Sequence, residues 1–292
     1  MDPSSPPIES VRVDGKVVLK LLKYGLESIS NLCNGQLLGM ENDSVLEVTD
    51  CYPLVSQHSS DVRDYYERIL PALREANHDV FPVGSFRWSS IGTFLDIGAL
   101  EGQYQNQKDM HNRITLLACP ASAVNGQIIL KAFKLSDKFF EYYGNHTFTA
   151  SQLKQTELSF QDMWTELPVI VHNTGLINVW LSKFLINQSI TNPKPVPSQN
   201  SVNAANLHSL IQCTQDSVDA AVGEVKKYKY QVSHTNKLRE AKVNQGRKRT
   251  AITEPQQLPS LVALSQLSRY CSSLIEEVKS RAEEMEKVGG KA

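Results

Sequence analysis

Paired thiols are missing from this chain. Its five cysteines, Cys33, Cys51, Cys119, Cys213 and Cys271, are scattered and never fall in a Cys-x-x-Cys spacing, which excludes a disulfide framework and a zinc ribbon. They read as reduced core or interface residues of a cytosolic protein. The seven histidines, His58, His78, His111, His146, His172, His208 and His234, show neither His-x-His nor His-Glu-x-x-His spacing, so no local ligand pair for a metal stands out. No stretch approaches the ~18 consecutive apolar residues of a membrane span. The start, Met1-Asp2-Pro3-Ser4-Ser5-Pro6-Pro7, lacks both a basic leader and an apolar run, so residues 1–9 are expected to form a disordered arm rather than a targeting segment.

What is present is ordinary globular protein. The 292 residues are 41% hydrophobic and 21% charged, with a net charge of -1, enough for one good-sized domain with extensions or two small ones. Val11-Arg12-Val13-Asp14-Gly15 alternates, then gives way to a helical stripe of Val17, Val18, Leu21, Leu22 and Leu26. Gly35 to Gly39 reads as a buried strand and Val45 to Thr49 as its hairpin partner, joined through Asn42-Asp43-Ser44. Asp61 to Ala76 has helical spacing at Tyr65, Ile69 and Leu73, with Pro71 expected to kink or split it. Strands are expected near Phe81 to Phe86, over Ile114 to Ala118 and over Ile128 to Leu135. Strands wrapped by helices in this order predict a mixed α/β domain.

The segment Val83-Gly84-Ser85-Phe86-Arg87-Trp88-Ser89, followed by Ile91-Gly92-Thr93-Phe94-Leu95-Asp96-Ile97-Gly98-Ala99-Leu100, resembles the zinc-site segment of an MPN (JAB/JAMM-like) domain. Active members of that family carry Gly-x-x-His-Ser-His, then seven residues of which Pro is the first, a Ser and an Asp three positions on, with a general-base Glu upstream. Counted from Gly84, the two His positions fall on Arg87 and Ser89, the Ser position on Ile97 and the Asp position on Leu100. The Glu position, three residues before the Gly35-Gln36-Leu37-Leu38-Gly39 strand, is Leu32. All five are changed. A catalytic zinc needs three N, O or S ligands and an open position for water. Arg and Leu offer no ligand, and a guanidinium about 4 Å from a divalent cation costs roughly 8 kcal/mol at an effective dielectric near 20. Without the metal there is no acidified water to act as nucleophile. Asp96 and Glu101 are the nearest carboxylates, yet each lies off the required phase and reads as structural or solvated.

Further runs narrow the resemblance. Leu130-Lys131-Ala132-Phe133-Lys134-Leu135, Phe148 to Lys154, Glu166-Leu167-Pro168-Val169-Ile170-Val171, Asn173 and Leu176-Ile177-Asn178-Val179 are similar to the MPN subunits of eukaryotic translation initiation factor 3 that lack the metal motif. The similarity covers roughly residues 10–190. It implies an MPN domain with a mixed sheet flanked by helices over that range, with no catalysis and no cofactor.

Beyond it, Pro193, Pro195 and Pro197 mark a linker over 191–201. An amphipathic helix is expected over 202–243, with apolar positions Leu207, Ile211, Val218, Ala221, Val225, Tyr228 and Val232. A basic, proline-containing linker over 244–259 separates it from a second helix over 260–288. That helix carries Leu264, Leu267, Cys271, Leu274, Val278 and Met285, widened by Leu261, Ile275 and Ala282. Such stripes are too wide to face solvent. Periodicity alone leaves open whether they fold back on their own domain or join another chain. The resemblance implies the latter, a helical bundle shared with PCI subunits.

Nine of the chain's 30 basic residues fall between 226 and 249 against one acid, Glu240. This block, with Lys226, Lys227, Lys229, Arg247, Lys248 and Arg249, is suited to ribosomal RNA phosphates or to an acidic protein. Tyr228 and Tyr230 are placed to stack on bases. It contains no base-reading module, so sequence-specific recognition is not expected.

As a whole the resemblance implies a cytoplasmic scaffold in initiation factor 3, on the small ribosomal subunit. Its MPN domain would pair with a second MPN protein, the F subunit of that factor, and its tail helices would anchor it among PCI subunits. No membrane contact and no small-molecule substrate are implied. The second reading is an MPN scaffold protein of the proteasome lid or the COP9 signalosome; a metallo-isopeptidase is the third.

Overall fold

The computed structural model describes residues 6–27, 33–54, 61–89, 95–119, 128–145, 148–156, 158–191, 199–244 and 255–289. These residues cluster into two compact units. One comprises residues up to 90, 103–134 and 166–204, and the other 91–102, 135–165 and 205 onward. The segment 135–165, which the resemblance places with the α/β domain, thus groups with the tail helices.

The first unit is built on β1 (Ser10–Asp14), α1 (Gly15–Glu27), β2 (Cys33–Asn42), β3 (Val45–Pro53), α2 (Asp61–Glu75) and β4 (Pro82–Trp88). There follow α3 (Ile97–Asp109), β5 (Ile114–Cys119), β6 (Ile129–Leu135), β7 (Trp164–Leu167), β8 (Val169–His172) and α6 (Gly175–Thr191), with α3 up to Gly102 and β7 up to Thr165 grouping with the second unit. Between β6 and β7 run α4 (Asp137–Asn145), α5 (Ala150–Thr156) and a 3-10 turn, Phe160–Met163. The eight strands form one mixed sheet in the order β7-β6-β5-β4-β2-β3-β1-β8.

The hairpin read from Gly35 to Thr49 is present: β2 and β3 are antiparallel, Asn42 faces Val45, and Asp43 turns the chain with φ 52°. Asp tolerates this left-handed conformation better than most side chains. β1 runs parallel to both β3 and β8, and β4 runs parallel to β5. Val11, Val13, Leu46, Val48, Phe86, Trp88, Leu116 and Ala118 alternate onto one core, completed by Val17 and Leu21 of α1. On the opposite phase, Thr115 donates its hydroxyl to Gln103 of α3 at 2.6 Å, and its Oγ1 lies 3.2 Å from the Ser85 hydroxyl oxygen.

Two boundaries differ from expectation. The arm is held from Pro6 onward rather than loose to residue 9: Ile8 is buried, Glu9 N–H donates to Ser44 at 2.8 Å, and the Asn112 amide donates to the Pro6 carbonyl. These bonds, one between backbones and one from the Asn112 side chain, extend the order of β1 outward. Pro71 does not split α2, which runs unbroken from Asp61 to Glu75. Pro71 and the residues around it, Glu67, Arg68 and Ala72, are exposed or half-exposed, so water can take the carbonyl that the missing N–H leaves without a donor.

The second unit contains α4, α5, the 3-10 turn, most of α7 (Gln199–Asn244) and α8 (Leu258–Gly289). Its aromatic centre is Phe148, whose ring lies 5.9 Å from that of Phe139 and 5.2 Å, edge-on, from that of Tyr142. Both tail helices extend slightly beyond their expected limits. The segments 192–198 and 245–254, expected as linkers, lie outside the described residues.

Candidate functional site

The segment that resembles a zinc site begins on β4. Gly84 sits opposite Ile114 in the parallel pair, and a Cβ there would lie 2.1 Å from the Ile114 carbonyl oxygen. This close approach of strands is what the glycine of the motif allows. Two residues on, Phe86 and then Trp88 point into the core, so Arg87 takes the other phase, half-exposed, in register with Asn34 and Leu117. Ser89 is buried, with its N–H donating to the Ala118 carbonyl at 3.1 Å. Ile97 is exposed at the first turn of α3, whereas Leu100 is fully buried. Leu32 lies outside the described residues. Asp96 is structural: its Oδ1 accepts the Ala99 N–H at 2.6 Å and caps α3, while Glu101 is exposed. Among the described residues no group of three His, Cys, Asp or Glu side chains is placed to hold a metal ion.

A charged cluster that sequence reasoning misses lies on the same unit. Asp50 of β3 is fully buried, and Lys20 reaches its Oδ1 while Lys16 and His78 Nδ1 approach its Oδ2 at 4.0 and 3.3 Å. The Cys51 N–H also donates to Oδ1, at 2.7 Å. Burial, reinforced by Asp50, pushes the Cys51 thiol up to about 12, and burial likewise pushes the Tyr24 phenol up to about 12. The cluster ties α1 to β3 through two lysines one helical turn apart. Its signal lies in the pattern: Asp50 follows Leu46 and Val48 at period two, the inward phase, where a carboxylate must find cations.

On the tail, the faces turned inward only partly match those expected. Ser217 and Ala221 are buried on α7, and Val225, Tyr228 and Val232 are half-buried along the same face, whereas Ile211 and Val218 are exposed. On α8 the buried residues are Val262, Ala263, Ser265 and Tyr270. Leu264, Leu267 and Leu274 are half-buried, and Cys271 and Val278 are exposed. Within the second unit α8 is anchored by polar bonds. The Gln257 N–H donates to the Phe148 carbonyl at 2.7 Å, and Arg269 Nη2 donates to the Trp164 carbonyl at 3.0 Å. Tyr228, expected as a stacking residue, accepts from Gln257 Nε2 at 2.7 Å and is turned to the chain's own interior. Tyr230 is 74% exposed. Lys226, Lys227 and Lys229 are exposed, Lys227 being paired with Glu224 at 2.6 Å. The side chains of Leu207 and Met285, and all of Arg247, Lys248 and Arg249, lie outside the described residues.

A third feature emerges only from the exposures. α6 carries apolar residues over most of its circumference, apart from a polar face of Asn178, Ser182 and Ser189, and Lys183 is its one charged residue, yet Leu176, Val179 and Trp180, one stripe at helical spacing, are more than half exposed. Ile170 and Val171 of the terminal strand β8 are exposed as well. From Leu167 to Ser182 no Asp, Glu, Lys or Arg occurs.

Comparison with known proteins agrees with the motif reading. Residues 123–257 match the family model described as the C-terminal region of eIF3h. The H subunit of eukaryotic translation initiation factor 3 from Nematostella vectensis is 30% identical over 231 residues, 77% of this chain and 69% of that protein. The protein of the same name from Xenopus tropicalis is 30% identical over 242 residues, 80% of this chain and 71% of its own length. That of Arabidopsis thaliana is 26% identical over 305 residues, covering 92% and 89%. The chain therefore belongs to the eIF3h family, the H subunits of eukaryotic translation initiation factor 3.

Proposed function

We propose that this chain is a non-catalytic scaffold of the cytoplasmic initiation factor 3 complex, supporting translation initiation on the small ribosomal subunit. In this reading the eight-stranded unit is an MPN domain whose metal positions, Leu32, Arg87, Ser89, Ile97 and Leu100, are filled by residues that ligate nothing. Its output is binding energy. The observation that carries the reading is α6, a mostly apolar helix with one charged residue, whose Leu176, Val179 and Trp180 stripe is turned outward. A helix of this composition belongs in an interior. Burying those three side chains is worth on the order of 5 kcal/mol before entropic costs. With the neighbouring uncharged β8 edge, this is the face proposed to take a second MPN protein, the F subunit of the factor. The half-exposed α8 stripe of Leu264, Leu267, Leu274 and Val278 is the one proposed to enter a bundle with PCI subunits.

The test is affinity purification of the tagged full-length chain from its own cytosol, with mass spectrometry of co-eluting proteins. Initiation factor 3 subunits and small-subunit ribosomal proteins at comparable abundance are expected. Proteasome-lid or signalosome subunits in their place would overturn the assignment of the complex. The triple change of Leu176, Val179 and Trp180 to Asp is expected to remove the MPN partner. The change of Leu264, Leu274 and Val278 to Asp is expected to release the PCI subunits. Unaltered co-purification in either variant would remove that face from the reading.

A further inference from the structure

The exposed side of α7 carries a pattern that assembly through apolar faces leaves unused. Its inward face follows Ser217, Ala221, Val225, Tyr228, Val232 and Thr235, all buried or half-buried. At about 100° per residue, Lys226, Tyr230, His234 and Lys237 fall together on the opposite side, and all four are exposed. Tyr230 and His234 are one turn apart, and their rings stack with centroids 6.3 Å apart and planes 21° from parallel. Lys229 lies about 100° round the helix from Tyr230, at the margin of this side, where it shares with Lys237 a shallow open groove lined also by Tyr228, Val232, Ser233 and Asn236. Between Lys226 and Lys237 the sequence holds no acid, and the nearest, Glu224, is paired with Lys227.

Two kinds of group are therefore presented side by side. Lys226, Lys229 and Lys237 supply positive charge over about 16 Å of helix, from an axial rise of about 1.5 Å per residue. The Tyr230 and His234 pair supplies a π-surface between them. An acidic protein segment would use the lysines and leave the rings without a role. A duplex would use the lysines too, since its bases are stacked on each other and turned away from the helix. A single strand uses both, with phosphates against the ammonium groups and a base laid on the ring pair. We propose that this side of α7 binds single-stranded RNA without sequence preference, through Lys226 and Lys237, with Lys229 at its margin, to phosphates and through Tyr230 and His234 to base faces. The site belongs to the chain itself and does not depend on which proteins cover α6 or α8.

Fluorescence anisotropy of the purified full-length chain tests this, with a labelled oligouridine of about 15 nucleotides as probe. Micromolar binding is expected at low salt, the range of nonspecific nucleic-acid contacts. Three phosphate contacts on a single strand give a log–log salt slope near -2, a loss of roughly 20-fold between about 50 and 200 mM KCl. Tyr230→Ala is expected to weaken binding about 5-fold or more, the low end for one lost stacking partner, whereas Tyr230→Phe keeps the ring and retains affinity. Replacing Lys226, Lys229 and Lys237 with Gln is expected to flatten the salt slope. These side chains are exposed, so circular dichroism of the variants should match the parent. No binding to the oligouridine at low salt overturns the proposal. So does binding to an equal-length RNA duplex or to polyglutamate as tight as to the single strand, or indifference to Tyr230→Ala.

Discussion

Replacing Gly25 by Ala would ordinarily stabilise a helix, and here it is expected to do the reverse. In the last turn of α1 (Gly15–Glu27) the exchange gains up to about 1 kcal/mol of helix propensity. The new methyl carbon, however, would lie 2.2, 2.3 and 2.7 Å from Cε2, Cδ2 and Cζ2 of Trp88, over the face of the indole. Carbon atoms at rest lie ~3.5–4.0 Å apart, so helix or ring must retreat by more than 1 Å. Trp88 has little freedom to do so: it is 2% exposed, on a strand paired to Cys33 on one side and Ala118 on the other. Overpacking of this size belongs at the upper end of the ~1–3 kcal/mol range. The net loss is then about 2 kcal/mol.

The reasoning makes a sharper claim in a second background. Trp88→Ala should cost about 3–5 kcal/mol. Once the indole is gone, Gly25→Ala should become favourable by about 1–2 kcal/mol, from helix propensity and burial of one methyl. A change of sign between backgrounds is a coupling of about 3 kcal/mol, well beyond the additivity expected of separate sites. Urea titration followed by circular dichroism would measure it. Each transition should be fitted separately, because two compact units need not unfold together. If Gly25→Ala stabilised both backgrounds equally, Trp88 would not be seated under α1.

Other perturbations address the charged cluster and the thiols. Asp50→Asn leaves Lys16 and Lys20 without their buried counter-charge. Because both lysines keep a third or more of their side chains in water, the expected loss is about 2–3 kcal/mol, at or below the low end for a broken buried pair. A loss under about 1 kcal/mol by thermal unfolding would refute this reading. Cys51 has a folded pKa of about 12 against an ordinary 9.0, so above pH 9 the unfolded chain releases a proton that the folded chain keeps. Its contribution is complete below pH 9 and is lost as pH rises toward 12, by about 1.4 kcal/mol per unit. Unfolding midpoints taken across that window should fall less steeply in Cys51→Ala than in the parent. In native protein a thiol reagent should modify Cys271, which is exposed, while Cys51 and Cys119 react only after denaturation.

Much of the sheet was legible because period-two alternation and glycine leave little choice. The Gly35 to Gly39 strand, its hairpin with Val45 to Thr49 and the β1–α1 junction all appear where the pattern places them. α3 was not legible, and the cause is chemical. Its buried positions after Leu100 are Gln103 and Gln107, which bond to each other at 3.0 Å, and Gln103 also donates to the Arg113 carbonyl at 2.7 Å. A glutamine buried by satisfying its amide leaves no apolar period to find. Asp50 was missed for the converse reason. Its phase was inward, but its partners Lys16, Lys20 and His78 come from α1 and from the loop after α2, and their convergence is a tertiary fact.

The tail separates a stripe from the use made of it. On α8 apolar residues occupy more than one helical face, so periodicity offers two phases, and the heptad pattern picks out Leu264, Leu267, Cys271, Leu274 and Val278. The chain itself buries the other phase, Val262, Ala263, Ser265 and Tyr270, while Arg269 and the preceding Gln257 bond to the backbone of 148–164. That difference has a physical consequence. If α8 served only its own unit, the phase left over would be expected to carry charge, as the solvent side of an amphipathic helix does. It carries Leu264, Leu267, Leu274, Ile275 and Val278 instead, half-buried or exposed. Two apolar phases on one helix, one of them satisfied within the chain, are what a protein needs if it must fold by itself and still offer a face for assembly.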